Sequence, residues 1–234
     1  MSHQNISEDS KKSCDVKITS GECLSILNKM PLNKSPGNDG LTVEFYRIFW
    51  PDFGHLVLDS FNASFEKGEL SSTQRQGVIT VIKKEEKDAL YIRNYRPITL
   101  LNVDYKLLSK VLAERIKLVL GEVIYVDQVG FLPDRNIGEA VRIIDDIIFY
   151  TKEYNVQGYL VAVDFEKAFD SVSHSYMKCL MRKYGFGPYF CRWIEVIYNN
   201  AVSCVMNGGF STGYFEIGRG VKQGDPFSPY IFFH

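Results

Sequence analysis

An apolar run that ends in a carboxylate constrains the fold of this chain most strongly. Residues 159–163 (YLVAV) are apolar at successive positions, and Asp164 follows them directly. Because side chains alternate between the two faces of a strand, an unbroken apolar run predicts a strand buried on both faces. The chain is therefore expected to form its strongest strand over residues 158–165, with Asp164 at the edge of a sheet.

Helical and extended patterns alternate along the rest of the chain. Apolar residues three and four positions apart predict a first helix that follows a capping box at Thr19 and runs to Met30, and further helices over residues 41–49, 51–66, 102–120, 137–154, 172–184 and 188–199. β-Branched and aromatic runs predict strands at 78–82 and 95–100 and a hairpin over 201–217. A last helix is expected to begin near Pro226. This mixture of helices with short antiparallel strands indicates an α+β fold.

The ends and the charge of the chain suggest its organisation. Residues 1–18 are polar and are expected to be a loose tail, and residues 19–234 are expected to form the domain. The net charge is -1, so no global basic field indicates nucleic acid. Residues 71–120, however, hold ten Lys or Arg against five Asp or Glu, a local positive excess that could bind phosphates.

Other protein classes are disfavoured by composition. The five cysteines form no C-x-x-C pair, which argues against a structural zinc site and a disulfide framework and favours a reducing, intracellular setting. The polar start has no apolar core of a signal peptide, and the sequence has no run of 18 apolar residues. No membrane association is therefore expected, and the compartment within the cell is left open.

Asp164 is the candidate metal ligand. A carboxylate at the end of a buried strand supplies the hard oxygen that Mg²⁺ prefers, and phosphoryl transfer commonly uses two such ions. The alternative is a strand-end carboxylate that caps the following helix, a role that Asp170 suits better. Asp145 and Asp146 resemble a catalytic acidic pair, but their surroundings are helical by period, which predicts a solvent-facing helix surface.

Three further groups are candidates for nucleotide binding. Phe169 lies five residues after Asp164, where a ring could exclude a 2′-hydroxyl; the alternative is a core phenylalanine. Residues 219–229 (RGVKQGDPFSP) form a glycine-rich polar loop that could lie against a base and sugar; the alternative is a plain turn. Lys83, Lys84 and Arg96 end two extended runs, where their charges suit a triphosphate or form a solvated hairpin tip.

Five blocks of the sequence resemble, in order, those of reverse transcriptases from non-LTR (LINE-type) retrotransposons. The blocks are residues 34–46 (KSPGNDGLTVEFY), 94–102 (NYRPITLLN), 128–131 (QVGF), 164–170 (DFEKAFD) and 219–229. The resemblance implies a right-hand polymerase with fingers and an incomplete palm and without a thumb. It also implies an RNA-directed DNA polymerase whose partners are an RNA template, a DNA primer and dNTPs, with a nuclear location if the element is active.

The same resemblance assigns roles to individual residues. Asp164 and the carbonyl of Phe165 would bind Mg²⁺, with two ions in the complete enzyme. The expected nucleotide contacts are Lys84 and Arg96 at the triphosphate, Phe169 as the sugar gate, and Gln223 and Gly224 at the incoming nucleotide and the template side.

Some features depart from the family's pattern. Residues 84–87 (KEEK) lack the Pro-Lys-Pro-Gly kind of turn that is common there, and Asp134 stands where glycine is usual. No aromatic-x-Asp-Asp pair occurs before His234, so the chain as given is expected to have little or no polymerase activity. The alternative function is a domesticated or degenerate module that binds nucleic acid without catalysis.

Overall fold

The computed structural model describes residues 5–231 except residues 126, 131, 133 and 134. Its helices are α1 (Glu8–Cys14), α2 (Ser20–Lys29), α3 (Val43–Lys67), α4 (Val103–Lys117), α5 (Leu120–Val123), α6 (Ile137–Glu153), α7 (Ala168–Ser171), α8 (His174–Lys183) and α9 (Pro188–Tyr198). Its strands are β1 (Gln76–Lys83), β2 (Tyr95–Leu101), β3 (Val202–Asn207), β4 (Phe210–Ser211) and β5 (Phe215–Glu216). The departure at Asp134 and the end of the expected last helix lie outside the described residues; Ser228–Tyr230 form one 3-10 turn.

One open sheet positions the loops of interest. β1 pairs antiparallel with β2, from Gly77 opposite Leu101 to Lys83 opposite Tyr95, and parallel with β3. β4 and β5 pair with the other side of β3, so the predicted hairpin is present with an interruption between them. The predicted mixture of helix and strand is thus confirmed.

Helix α4 is the centre of the core. Leu107, Leu108, Val111, Leu112 and Ile116 are fully buried, as their helical spacing predicts. Helices α2 and α3 pack against α4, and the fully buried side chains of α9 belong to the same core. A helix buried on most of its surface gives the loops around it a rigid support.

Helix α3 is continuous where a break was predicted. Pro51 lies inside it, although proline removes one backbone hydrogen bond and crowds the preceding turn. Tyr46, Trp50, Val57 and Phe61 are buried on both sides of the proline. The continuous buried face therefore outweighs the local cost of Pro51.

The expectation of a loose tail is wrong for residues 8–14, which form α1. Ile6, Cys14 and Ile18 are buried in the core. The Arg115 guanidinium, on α4, donates to the carbonyls of residues 14, 16 and 17 and to both oxygens of Glu22. The segment is held by a residue about 100 positions away, which its own polar composition does not reveal.

Asp15 links this N-terminal segment to α9. Its Oδ1 accepts a hydrogen bond of 2.7 Å from the Phe190 amide, in the first turn of α9. A Cβ on Gly187 would lie 2.2 Å from the Asp15 carboxyl carbon, so a larger residue there would displace this carboxylate. Asp15 is thus a helix cap supplied from a distant part of the chain.

We expect Asp15→Ala to lower the free energy of unfolding by about 1 kcal/mol, the usual cost of losing a helix cap. Urea denaturation at 25 °C measures the change. Asp9→Ala, at an exposed position of α1, is the control and should change stability by less than about 0.5 kcal/mol. Equal effects of the two substitutions would contradict the capping role.

The buried strand predicted over residues 158–165 is wrong. The structure has no strand there, and Tyr159, Val161 and Val163 are 99%, 75% and 73% exposed. A strand requires neighbours for its backbone hydrogen bonds, and the described sheet pairs with other segments. The segment instead lies beside α6, where Ile144 and Ile148 share a cavity of about 250 Å³ with Leu160.

Asp145 and Asp146 are exposed on α6, as predicted.

Candidate functional site

The glycine-rich loop, residues 219–225, is bound to the segment that follows Asp164. The Gly220 amide donates to the Val172 carbonyl at 2.7 Å, and the Val221 amide donates to the Phe169 carbonyl at 2.8 Å. His174 places Nε2 2.9 Å from the Gly220 carbonyl, and burial lowers the pKa of this histidine, which favours its neutral form. The sequence predicted both segments as site elements, and the structure brings them into contact.

Two glycines permit this close docking. Gly220 has φ +80°, and a Cβ there would lie 2.7 Å from the Asp170 carbonyl oxygen. Gly224 has φ +108°, and a Cβ there would lie 2.8 Å from the Thr99 carbonyl oxygen. Both positions therefore need glycine for conformation and for space.

The other side of the loop meets β2. The Thr99 amide donates a 2.8 Å hydrogen bond to the Gln223 carbonyl. The loop therefore lies between β2, which carries Arg96, and the segment that follows Asp164. Gln223, with Arg219 and Asp170, lines a cavity of about 260 Å³ against the sheet, whereas Gly224 lines a second, larger cavity.

The larger cavity is an apolar groove of about 620 Å³ rimmed by lysines, called here the lysine groove. Its lysines are Lys29, Lys34, Lys106 and Lys110, and its other lining residues are Met30, Pro31, Ser35, Val43, Ile82, Ile98, Thr99, Leu100, Val103, Gly224 and Pro226. Burial lowers the pKa of Lys106, and the negative charge of Asp39 partly offsets this decrease. Apolar walls beside cationic groups suit a chain that carries both bases and phosphates.

A buried polar cluster lies under the loop. Asp225 is 4% exposed and accepts hydrogen bonds from Ser228 Oγ at 3.0 Å, from Tyr105 Oη at 3.4 Å and from Ser109 Oγ. Burial raises the pKa of Asp225, and the hydrogen bonds from Ser109, the Phe227 amide and Ser228 act against the rise. Burial also lowers the pKa of Lys222 to about 8; its ammonium lies 4.7 Å from the Tyr105 ring centroid.

The structure places the remaining candidates on the surface or at its margin. Asp164 and Phe165 are exposed, and Phe169 is half-buried against the core. Arg96 is exposed and Lys84 is half-buried at the end of the β1–β2 pair that residues 84–94 connect, and Lys84 Nζ lies 3.0 Å from the Arg93 carbonyl. No described contact joins Asp164 to the loop; the connection passes through Phe169 and Val172.

A comparison with known families decides the identity. The model of the family described as "Reverse transcriptase (RNA-dependent DNA polymerase)" matches residues 82–233. The chain belongs to this reverse transcriptase family. The match includes β2, the segment after Asp164 and the glycine-rich loop, so the elements that the structure brings together are the ones the family shares.

Individual relatives place the domain among non-LTR retrotransposons. The chain is 38% identical over 231 residues to the "Transposon TX1 uncharacterized 149 kDa protein" of Xenopus laevis, covering 97% of this chain and 17% of the relative. It is 30% identical over 207 residues to the Pol polyprotein of the R2DM element of Drosophila melanogaster, covering 88% and 19%. It is 24% identical over 220 residues to the RNA-directed DNA polymerase of the jockey element of the same species, covering 92% and 24%.

These matches establish the type of domain to which the chain belongs. The chain is a reverse transcriptase domain of the non-LTR retrotransposon kind, and it spans between 17% and 24% of the length of these three relatives. Reverse transcriptases in general depend on a divalent metal and act on nucleic acid and nucleotides. Among the described helices, none combines the length and the apolar character needed to cross a membrane.

Asp164 is the candidate ligand for the divalent metal on which reverse transcriptases in general depend. Asp164 has the oxygen chemistry that Mg²⁺ prefers. Within the described ranges, however, no three His, Cys, Asp or Glu side chains lie close enough to hold an ion together. The residues described here therefore do not by themselves fit a complete two-ion site.

Sequence reasoning missed the lysine groove and the Asp225 cluster. Lys34 lies in one of the blocks that resemble the family, residues 34–46, but it was assigned no role. Lys106 and Lys110 stand four residues apart on α4. The four-residue spacing could have indicated one basic helix face. That this face lines one cavity with Lys34 is a tertiary property without a local signal.

Proposed function

We propose that this domain supplies the nucleotide-binding and template-binding surfaces of an RNA-directed DNA polymerase that adds dNTPs to a primer 3′-hydroxyl. In this proposal the β1–β2 pair and the helices around it belong to the fingers, and residues 158–231 belong to the palm. The observation that carries it is the docking of the glycine-rich loop. That loop is hydrogen-bonded to β2 on one side and to the segment that follows Asp164 on the other.

The nucleotide is proposed to lie at the junction of these three elements. Gln223 and Gly224 contact its base and sugar, and Phe169 closes the space beside the sugar 2′ position. Lys84 and Arg96 bind the triphosphate, since both lie at the end of the β1–β2 pair that residues 84–94 connect, and together they combine a point charge with a planar fork of donors.

Asp164 and the Phe165 carbonyl are proposed as metal ligands. Mg²⁺ would supply charge neutralisation at the reacting phosphate, with two ions in a complete site. Because Mg²⁺ takes about six oxygen ligands, these two groups account for part of one coordination shell. The role assigned to Asp164 is thus to hold a metal beside the nucleotide loop.

The lysine groove is proposed to hold the RNA template. It reaches Gly224, and Ile82, Ile98 and Leu100 form part of its apolar lining. A period of two places Arg96 on the same face of β2 as Ile98, so the triphosphate contact and the groove share one side of the sheet. Bases can pack on the apolar walls while the lysine rim neutralises phosphates.

Changing Lys34 and Lys106 together to glutamine is expected to weaken binding of an RNA–DNA hybrid with a single-stranded RNA overhang. Each lost phosphate contact should reduce the slope of log affinity against log salt by about 0.7–0.9. Fluorescence anisotropy over a series of salt concentrations measures both quantities.

The matched control changes Lys12 and Lys152 to glutamine, two exposed lysines outside the groove. This variant loses the same charge and should keep the wild-type slope. Wild-type binding that does not respond to salt, or equal losses in the two variants, would contradict a template site in the lysine groove.

A further inference from the structure

The carboxylate of Asp225 collects donors from two parts of the chain. Ser109 and Tyr105, on α4, donate to it through their hydroxyls. Ser228 Oγ donates at 3.0 Å and the Phe227 amide at 3.3 Å from the C-terminal side. Ser109 and Tyr105 are fully buried, and Asp225 is 4% exposed, so water takes little part in this cluster.

The turn that carries Gln223 is closed on the same residue. The Asp225 amide donates to the Lys222 carbonyl at 3.1 Å, and the Ser228 Oγ atom lies 3.1 Å from the same carbonyl oxygen. The Lys222 ammonium donates to the Arg75 carbonyl at 3.3 Å. Gln223 and Gly224 therefore lie within a four-residue turn, both ends of which are anchored in the interior.

We propose that Asp225 is a positioning residue for the nucleotide loop: its bonds to α4 keep the turn of residues 222–225 in place, so that Gln223 stays on β2. The effect of this positioning on nucleotide binding rests on the proposed function, in which the Gln223 side chain contacts the nucleotide. Asp225 itself is the buried last residue of the turn and acts through Gln223.

The chemistry of the cluster explains why a carboxylate is needed. An ionised carboxylate only accepts hydrogen bonds and can satisfy several donors at once. An asparagine of the same shape has one accepting oxygen, and its NH₂ group would face donors. In a water-free cluster this mismatch costs more than loss of the bond alone. Asp225→Asn should therefore release the turn from α4 with little change in volume.

Amide hydrogen exchange in the full chain tests the positioning directly. The Thr99 amide reports on the turn because it donates to the Gln223 carbonyl, and the amide of Leu112, in the centre of α4, reports on global opening. In Asp225→Asn the ratio of the Thr99 rate to the Leu112 rate is expected to rise about tenfold, the scale of one lost buried hydrogen-bond partner. Ser109→Ala should raise the same ratio, and it replaces Asp225→Asn in the experiment if Asp225→Asn does not fold.

The matched control is Glu22→Gln, which removes the same charge from the Arg115 pair at the far end of α4. It should leave the Thr99 to Leu112 ratio within about twofold of wild type. If Glu22→Gln and Asp225→Asn change the ratio of the Thr99 and Leu112 exchange rates equally, Asp225 only stabilises the core as a whole. That result would overturn the proposal.

A second readout connects the turn with the nucleotide. Titration with a fluorescent N-methylanthraniloyl-dGTP should show similar losses of affinity in Asp225→Asn and in Gln223→Ala, and none in Glu22→Gln. Wild-type affinity in Asp225→Asn would overturn the link to nucleotide binding. If the wild type and Gln223→Ala both fail to bind this probe, the proposed function fails, and the exchange ratio still decides whether Asp225 positions the turn.

Discussion

Replacing Arg115 with methionine is expected to lower the free energy of unfolding by about 3–5 kcal/mol. Arg115 is 5% exposed, and its guanidinium donates to both oxygens of Glu22 and to three main-chain carbonyls of the N-terminal segment. Methionine fills a similar volume but leaves the Glu22 carboxylate and the three carbonyls without this donor, and the Cys14 carbonyl belongs to a fully buried residue. Urea denaturation at 25 °C, followed by circular dichroism, measures the loss.

Lys11→Met is the control for this prediction. Lys11 pairs with Glu8 at 3.5 Å on the outer face of α1, where an exposed ion pair contributes less than about 1 kcal/mol. A loss below about 1 kcal/mol in Arg115→Met would show that the N-terminal segment does not depend on this guanidinium. The assignment of residues 5–18 to the folded core would then need to be revised.

The sheet and the central helix could be predicted because their signals are local. The β-branched run at residues 78–82 and the charged turn after it predict the β1–β2 pair, which the structure forms. The spacing of leucines and valines over residues 103–117 predicts a buried face, and α4 has it. In both cases the residues that decide the element lie within it.

The errors arose where distant parts of the chain decide the structure. Residues 8–14 look polar, yet Arg115 anchors the chain immediately after them. Residues 158–165 look like a buried strand, but apolar character does not provide the neighbouring strand that backbone hydrogen bonds need. Burial of α3 on both sides of Pro51 likewise overrode a local helix-breaking signal.

The candidate site divides in the same way. The glycine-rich loop and the segment after Asp164 were identified from residue patterns, and the structure shows them hydrogen-bonded to each other. The lysine groove was not identified, since Lys34 and Lys106 are 72 positions apart and meet only through the packing of α2 and α4. Asp225 was visible as part of a motif, but its partner Ser109 lies on α4, 116 positions earlier in the chain.

Asp164→Ala is expected to reduce metal-dependent primer extension by at least about 100-fold, the scale on which a catalytic metal contributes several kcal/mol. The same substitution should leave RNA–DNA binding within about twofold, because the groove and the loop do not depend on this carboxylate. Asp145→Ala removes an equally exposed carboxylate from α6 and should leave extension unchanged.

Extension of a DNA primer on an RNA template, with Mg²⁺ and dNTPs, tests the central claim most directly. The protein is the product of the longest reading frame that contains this chain, compared with its Asp164→Ala and Asp145→Ala variants at matched concentrations. Extension that is lost only in Asp164→Ala, with hybrid binding retained, is the predicted result. Extension that survives Asp164→Ala, or an equal loss of extension and binding, would contradict the assignment of Asp164 as the metal-holding residue of a working reverse transcriptase.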